Sequence, residues 1–201
     1  MENRVFSRFN IYDQFGYLLV GGIALMCVAF DLLLLEKLDS TLATSVFSSK
    51  NFLVLFPLAY FVGHLVQAMA NIVIKENKAS FSDSEKKTLE EAKKYFEAGS
   101  RSLQEIYQLC YMLSFAKDIT GQVQTFNAYY GLYRGWKIVF GLNSLFMLYL
   151  VARDWFSLLN ISILAISIIM TWLIHKRSKR FYSYSRRKTL ETFTILSKGK
   201  L

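Results

Sequence analysis

This chain is poor in the residues that interrupt helices, staple folds or perform chemistry. It has one proline, Pro57, in 201 residues. That scarcity favours long unbroken helices. Two cysteines, Cys27 and Cys110, make no disulfide framework and no metal-binding spacing. Charged residues are 19% of the chain, below the roughly 25% of an ordinary soluble domain. There is no Pro/Gly/Ser-rich linker, no low-complexity tract and no repeat. Gly-rich phosphate loops, Gly-x-Ser-x-Gly and His/Cys metal clusters are also missing. Neither His64 nor His175 follows an arginine by four to six residues, the pattern of HEPN-type ribonucleases. No enzyme activity, cofactor or metal is therefore expected.

What the chain does have is four apolar runs: Gly16–Leu35, Asn51–Ile74, Lys137–Ala152 and Trp155–Ile174. A helix needs about 20 residues to cross a bilayer. The first, second and fourth runs meet that length, and the third needs its flanks to complete a span. The expected fold is an all-α integral membrane protein of four transmembrane helices. The amino end carries Arg4 and Arg8, but its apolar run is too long for a cleaved signal and no small-residue cleavage site follows.

Charge orients the spans. Residues 75–136 carry nine Lys/Arg and eight acids, and the stretch after Ile174 carries nine Lys/Arg and one acid, Glu191. The other two links are poor in bases: Lys37 and Lys50 in one, Arg153 in the other. Basic loops stay inside, and four spans put both ends and residues 75–136 on one side. The expected location is the bacterial inner membrane with both termini cytoplasmic. Four parts follow: a transmembrane hairpin over 1–75, a cytoplasmic helical segment over 76–135, a second hairpin over 136–175 and a basic tail over 176–201.

The cytoplasmic segment reads as a helical hairpin. Ser82 and Glu85 fit a capping box. Leu89, Ala92 and Phe96 then recur at helical spacing, and Gly99 is a plausible stop. Leu103, Ile106, Tyr107, Cys110 and Leu113 form the stripe of a second helix, with Cys110 packed inside it. Gly121 is expected to break the chain before the segment that feeds span three.

Within the spans, Tyr60, His64, Gln67 and Asn71 fall at intervals of four, three and four, on one helical face. A polar stripe facing lipid is costly. It serves either interhelical hydrogen bonding, within one bundle or between subunits, or the lining of a conduit, and a homo-oligomer associating through this face is expected. Asn160, Ser167 and Thr171 form a similar face on span four, and Asn143 and Ser144 sit on span three. Asp31, the one acid within a span, reaches the outer interface or pairs across the bundle, with Lys50 and Asn51 as candidates. Ala59-x-x-x-Gly63 and Gly131-x-x-x-Gly135 have the spacing of close helix approaches. The basic tail interleaves Lys176, Arg177, Lys179, Arg180, Arg186, Arg187 and Lys188 with aromatics. Anionic lipid is the expected partner, and RNA, with bases stacked on the aromatic rings, is the alternative.

Two stretches carry a family resemblance. Phe9-Asn-Ile-Tyr-Asp-Gln-Phe-Gly-Tyr-Leu-Leu-Val-Gly-Gly22 leads into span one, and Phe126-Asn-Ala-Tyr-Tyr-Gly-Leu-Tyr-Arg-Gly135 leads into span three. Together with the span layout they resemble the small four-span membrane accessory family of type VI-B CRISPR systems, whose relatives also accompany the RADAR defence system. Val20 stands where such proteins often carry proline. The resemblance implies an accessory protein that modulates a soluble RNA-guided RNase, permeabilises the membrane, or both. A channel or transporter subunit unrelated to defence is the competing reading, and genomic neighbours would separate the two.

Overall fold

The computed structural model describes residues 11–36, 39–41, 45, 47–74, 81–118, 120–154 and 157–199, with side chains for all of these except 11–15 and 49. Arg4, Arg8, Lys37, Trp155 and the first residues of the amino-terminal motif lie outside them. The described residues are helical, with no strand. Six helices of 13 to 40 residues follow in order: α1 (Ile11–Leu34), α2 (Phe52–Val73), α3 (Asp83–Tyr95), α4 (Leu103–Lys117), α5 (Gln122–Arg153) and α6 (Leu158–Ser197). A single 3-10 turn, Ser49–Asn51, precedes α2. Four of the six, α1, α2, α5 and α6, are long and apolar enough to cross a membrane.

The chain divides into two compact units: residues 1–74 with 131–178, and residues 75–130 with 179–201. Helices α5 and α6 each contribute to both. The stretch 176–201, expected as a basic tail, continues α6 without a break to Ser197. Its residues 179–201 belong to the same unit as α3 and α4.

In the first unit α1 and α2 are in backbone contact. A Cβ built on Gly21 would overlap the Ala59 carbonyl oxygen and lie 2.6 Å from the Gly63 amide nitrogen. A Cβ on Gly63 would overlap the Tyr17 carbonyl oxygen. Small residues four apart thus do what their spacing suggested, with Gly21 as the opposing residue. Val20, Ala24, Val66, Ala70, Ile138 and Val139 pack beside this crossing. The outer surface of the unit is apolar. Leu53 is 84% exposed, Leu158 80% and Ile72 74%. A soluble monomer rarely shows so much contiguous apolar surface to water.

The second unit is built by capping and a small core. Ser82 Oγ accepts from the Glu85 amide while Glu85 accepts from the Ser82 amide, the expected capping box of α3. Ser102 and Glu105 repeat it at α4, a box that the Ser-x-x-Glu spacing also spells. Helix α3 ends at Tyr95, and the left-handed residue is Glu97 (φ 50), not Gly99. Gly121 (φ 66) does mark the start of α5. Asp118 fixes that start by accepting from Val123 N at 2.7 Å and Thr120 N at 3.0 Å. Leu89, Ala92, Ile106, Cys110, Leu190 and Phe193 form the core, with Leu103, Tyr107 and Leu113 packed against it.

Two of the core contacts make predictions. Gly63→Ala should destabilise the protein by about 3 kcal/mol, since the methyl meets backbone that cannot swing aside. Gly22→Ala, with nothing within 4 Å, should be neutral or slightly stabilising. Thermal unfolding in mild detergent measures both.

Burial pushes the Cys110 thiol up to about 12 and the Tyr107 phenol up to about 12. Both stay neutral in the folded state while the unfolded chain ionises from about pH 9 upward. Their stabilising contribution is therefore complete below pH 9 and lost as pH rises toward 12. Maleimide should label Cys110 slowly at pH 8 in native protein and rapidly after denaturation.

Candidate functional site

The polar residues inside the four long helices form the candidate site. The α2 stripe divides in two. Gln67 Nε2 donates to the Gly131 carbonyl oxygen at 2.6 Å. That carbonyl is reachable because Gly135, one turn on, has no side chain: a Cβ there would sit 3.0 Å from Gln67 Nε2 and 2.9 Å from both Val20 methyls. The Gly131-x-x-x-Gly135 spacing is thus a slot for the Gln67 amide and Val20. Tyr60 and His64 join α2 to α1. The His64 ring stacks on Tyr17, centroids 3.9 Å apart and planes 18° off parallel, and meets Tyr60 edge-on at 4.6 Å. Tyr60 and Gln67 are half-buried, whereas His64 and Asn71 are exposed.

A second polar chain ties α1, α5 and α6. Asn143 Nδ2 donates to Asp31 Oδ1 at 2.9 Å, and Asn143 Oδ1 accepts from Ser167 Oγ. Thr171 Oγ1 donates to the Ser167 carbonyl at 2.8 Å and lies 3.4 Å from Ser144 Oγ. Asp31 therefore pairs across the bundle, but with Asn143 and not with Lys50 or Asn51; the Asn51 amide donates instead to the Ser45 carbonyl. The hub is Asn143, buried, whose place between Asp31 and Ser167 no spacing within one helix reveals. Asn160 stands apart from Ser167 and Thr171. It donates to Asp154 Oδ2 at 3.0 Å, while Arg153 Nε holds Oδ1 at 2.5 Å. It clamps the α5–α6 turn.

The basic stretch is partly spent on structure. Arg186 is 10% exposed and pairs with Glu85 Oε2 at 2.5 Å, its guanidinium lying over Phe81 at 4.7 Å and Tyr182 at 5.6 Å. Glu85 Oε2 also accepts from the Ser82 amide and hydroxyl. Arg187 and Lys188 both reach Glu191. Arg180 donates to the Tyr184 hydroxyl at 2.7 Å. Lys176 lies over Trp172 and Arg177 over Tyr133, and Lys179 is exposed. Phe181 and Tyr184 pack on Phe126, so their faces are committed to protein contacts. Between α3 and α6 a groove of about 700 Å³ is lined by Ser84, Glu85, Thr88, Ser183, Leu190 and Thr194 among others.

No protein-family model, curated protein or solved structure matches this chain. Its chemistry must be read from its own groups. Among the described residues no three His, Cys, Asp or Glu side chains converge as metal ligands would. The polar chains above pair amides, hydroxyls and one carboxylate, a set suited to holding helices together.

Asn143→Leu should strand both the Asp31 carboxylate and the Ser167 hydroxyl, at a cost of about 2–4 kcal/mol. Asn160→Leu, which loses one contact to the half-buried Asp154 that Arg153 still holds, should cost about 1 kcal/mol, less than Asn143→Leu. Unfolding in detergent micelles monitored by circular dichroism compares them.

Proposed function

We propose that this chain is a four-span protein of the bacterial inner membrane, with both termini and the 75–130/179–201 unit cytoplasmic, and that it tethers and regulates a soluble partner. The observation that carries this reading is the make-up of α6. Its first half exposes Leu158, Leu159, Ile166, Ile168 and Ile169. Its second half is charged and belongs to the unit with α3 and α4. Forty residues at roughly 1.5 Å each give about 60 Å, twice what the hydrocarbon of a bilayer takes up. One helix thus supplies both a lipid-facing surface and part of a water-facing domain. The distribution of Lys and Arg supports the orientation, and the α3–α6 groove offers a place for a partner.

The resemblance of the two motif stretches supports an RNA-guided RNase of a type VI-B-like system as that partner. The exposed bases Lys176, Arg177, Lys179 and Arg180 suit anionic headgroups at the inner interface. Packing of Phe181 and Tyr184 on Phe126 favours lipid over RNA here, since base stacking needs open ring faces. Gln67, Asn143, Ser167 and Thr171 spend their polar groups within the chain, which favours packing over the lining of a conduit.

Cysteines introduced at Asn77 and Ser197 should resist a membrane-impermeant thiol reagent in intact cells, and one at Ser45 should react. Labelling of the first two from outside overturns the topology. Membranes carrying the protein should change target-RNA cleavage by a type VI-B RNA-guided nuclease at least about threefold, and Thr88→Trp with Ser183→Trp, which fill the groove, should abolish the change. Dye leakage from protein-bearing liposomes with no effect on cleavage would reject the regulatory reading in favour of a channel.

A further inference from the structure

The exposed side of α2 carries a pattern that the fold uses only in part, through the His64 ring. Pro57, Phe61, His64, Ala68 and Asn71 are all exposed and are spaced by four, three, four and three. At 3.6 residues per turn they lie within about 80° of arc. Ala59, Gly63, Val66 and Ala70, the buried residues of α2, lie on the opposite side. A 3–4 spacing is the seam of a left-handed helix pair.

This seam does not suit lipid. His64 is the thirteenth of 22 residues in α2, so a spanning α2 sets its imidazole near the bilayer midplane. An imidazole facing acyl chains there is costly. Its ring faces are held by Tyr17 and Tyr60, but among the described residues neither the His64 nor the Asn71 side chain has a hydrogen-bond partner. Water does not suit the seam either. A wet path needs polar groups along its length. Here Phe61 and Ala68 flank His64, and the other polar residues of the stripe, Tyr60 and Gln67, turn inward.

We propose that the seam is covered by the same seam of a second copy of this chain, related by a two-fold axis along the membrane normal. The inference rests on the four-span reading above and names the surface through which such a protein self-associates. Copies in one membrane share one orientation, so a symmetric pair is parallel and each layer meets itself. That arrangement is self-complementary here. A neutral imidazole offers one donor and one acceptor, and a carboxamide offers both. His64 can therefore pair with the partner copy's His64, and Asn71 with its counterpart. Ala68, one turn from His64, is small enough to let the helix backbones approach. The seam excludes Gln67, whose amide is already spent on the Gly131 carbonyl.

Single cysteines test the geometry in full-length protein carrying Cys27→Ala and Cys110→Ala, in native membranes. Ala68→Cys and Phe61→Cys should form dimers on mild oxidation. Met69→Cys and Leu58→Cys, exposed on other faces of the same helix, should give at least about fivefold less. Adding His64→Leu and Asn71→Leu should weaken association by about tenfold, roughly threefold for each polar layer. Both changes put apolar groups on a membrane-facing surface, so the fold should survive them. Equal crosslinking at Ala68 and Met69 would overturn the seam, as would labelling of Ala68→Cys by a water-borne impermeant reagent. Carbonate extraction of the same membranes is the parallel reading. Release of the chain into the wash would overturn the membrane assignment itself, whereas retention with failed crosslinking would overturn the seam alone.

Discussion

Backbone contact between α1 and α2 is the constraint on which the first unit depends. Gly21, Ala59 and Gly63 bring main chain against main chain, and larger residues there would push the helices apart. That closeness sets what else is possible. With the axes this near, Tyr17 can lie flat on His64, and Val20 can reach toward Gly135 on α5. In a lipid setting apolar burial gives no net gain between helices, so small-residue contact and hydrogen bonds are the forces available. The Gln67–Gly131 and Asp31–Asn143–Ser167 contacts belong to the same logic. Each uses a polar group that would be costly against acyl chains and satisfies it inside the bundle.

The second unit is held differently, as a soluble domain is. Its helices begin at capping boxes and bury Leu89, Ala92, Ile106, Leu190 and Phe193. The nearly enclosed ion pair of Arg186 with Glu85 locks α6 to α3. Pairs of this kind add little net stability but are expensive to break on one side. Two kinds of packing thus occur in one chain, and α5 and α6 each contribute to both units.

Much of this was legible in the sequence where the signal is local. The four apolar runs, the Ser82–Glu85 box, the stripe from Leu103 to Leu113 and the break at Gly121 each depend on residues within a turn or two of one another. The misses are contacts between distant parts of the chain. That Asn143 rather than Asn51 meets Asp31 is decided by how α1 and α5 cross, and no spacing within either helix encodes it. The basic stretch misled for a related reason. Its Lys/Arg content reads as facing lipid or RNA, yet Arg186 is turned inward by an acid 101 residues earlier. The α2 stripe was read as one face. Neighbours on either side of it split that face into an inward pair and an outward pair, about 40° apart on the helix.

The separation of Glu85 and Arg186 along the chain has a kinetic meaning. The carboxylate that caps α3 waits for a guanidinium that the ribosome adds 101 residues later, after α5 and the apolar half of α6 have been made. Long-range closure of this kind is slow relative to local helix formation. The apolar parts of all four long helices are therefore made before α3 can be locked in place. A partner that recognises the finished α3–α6 surface would meet only molecules whose apolar helices had already been synthesised.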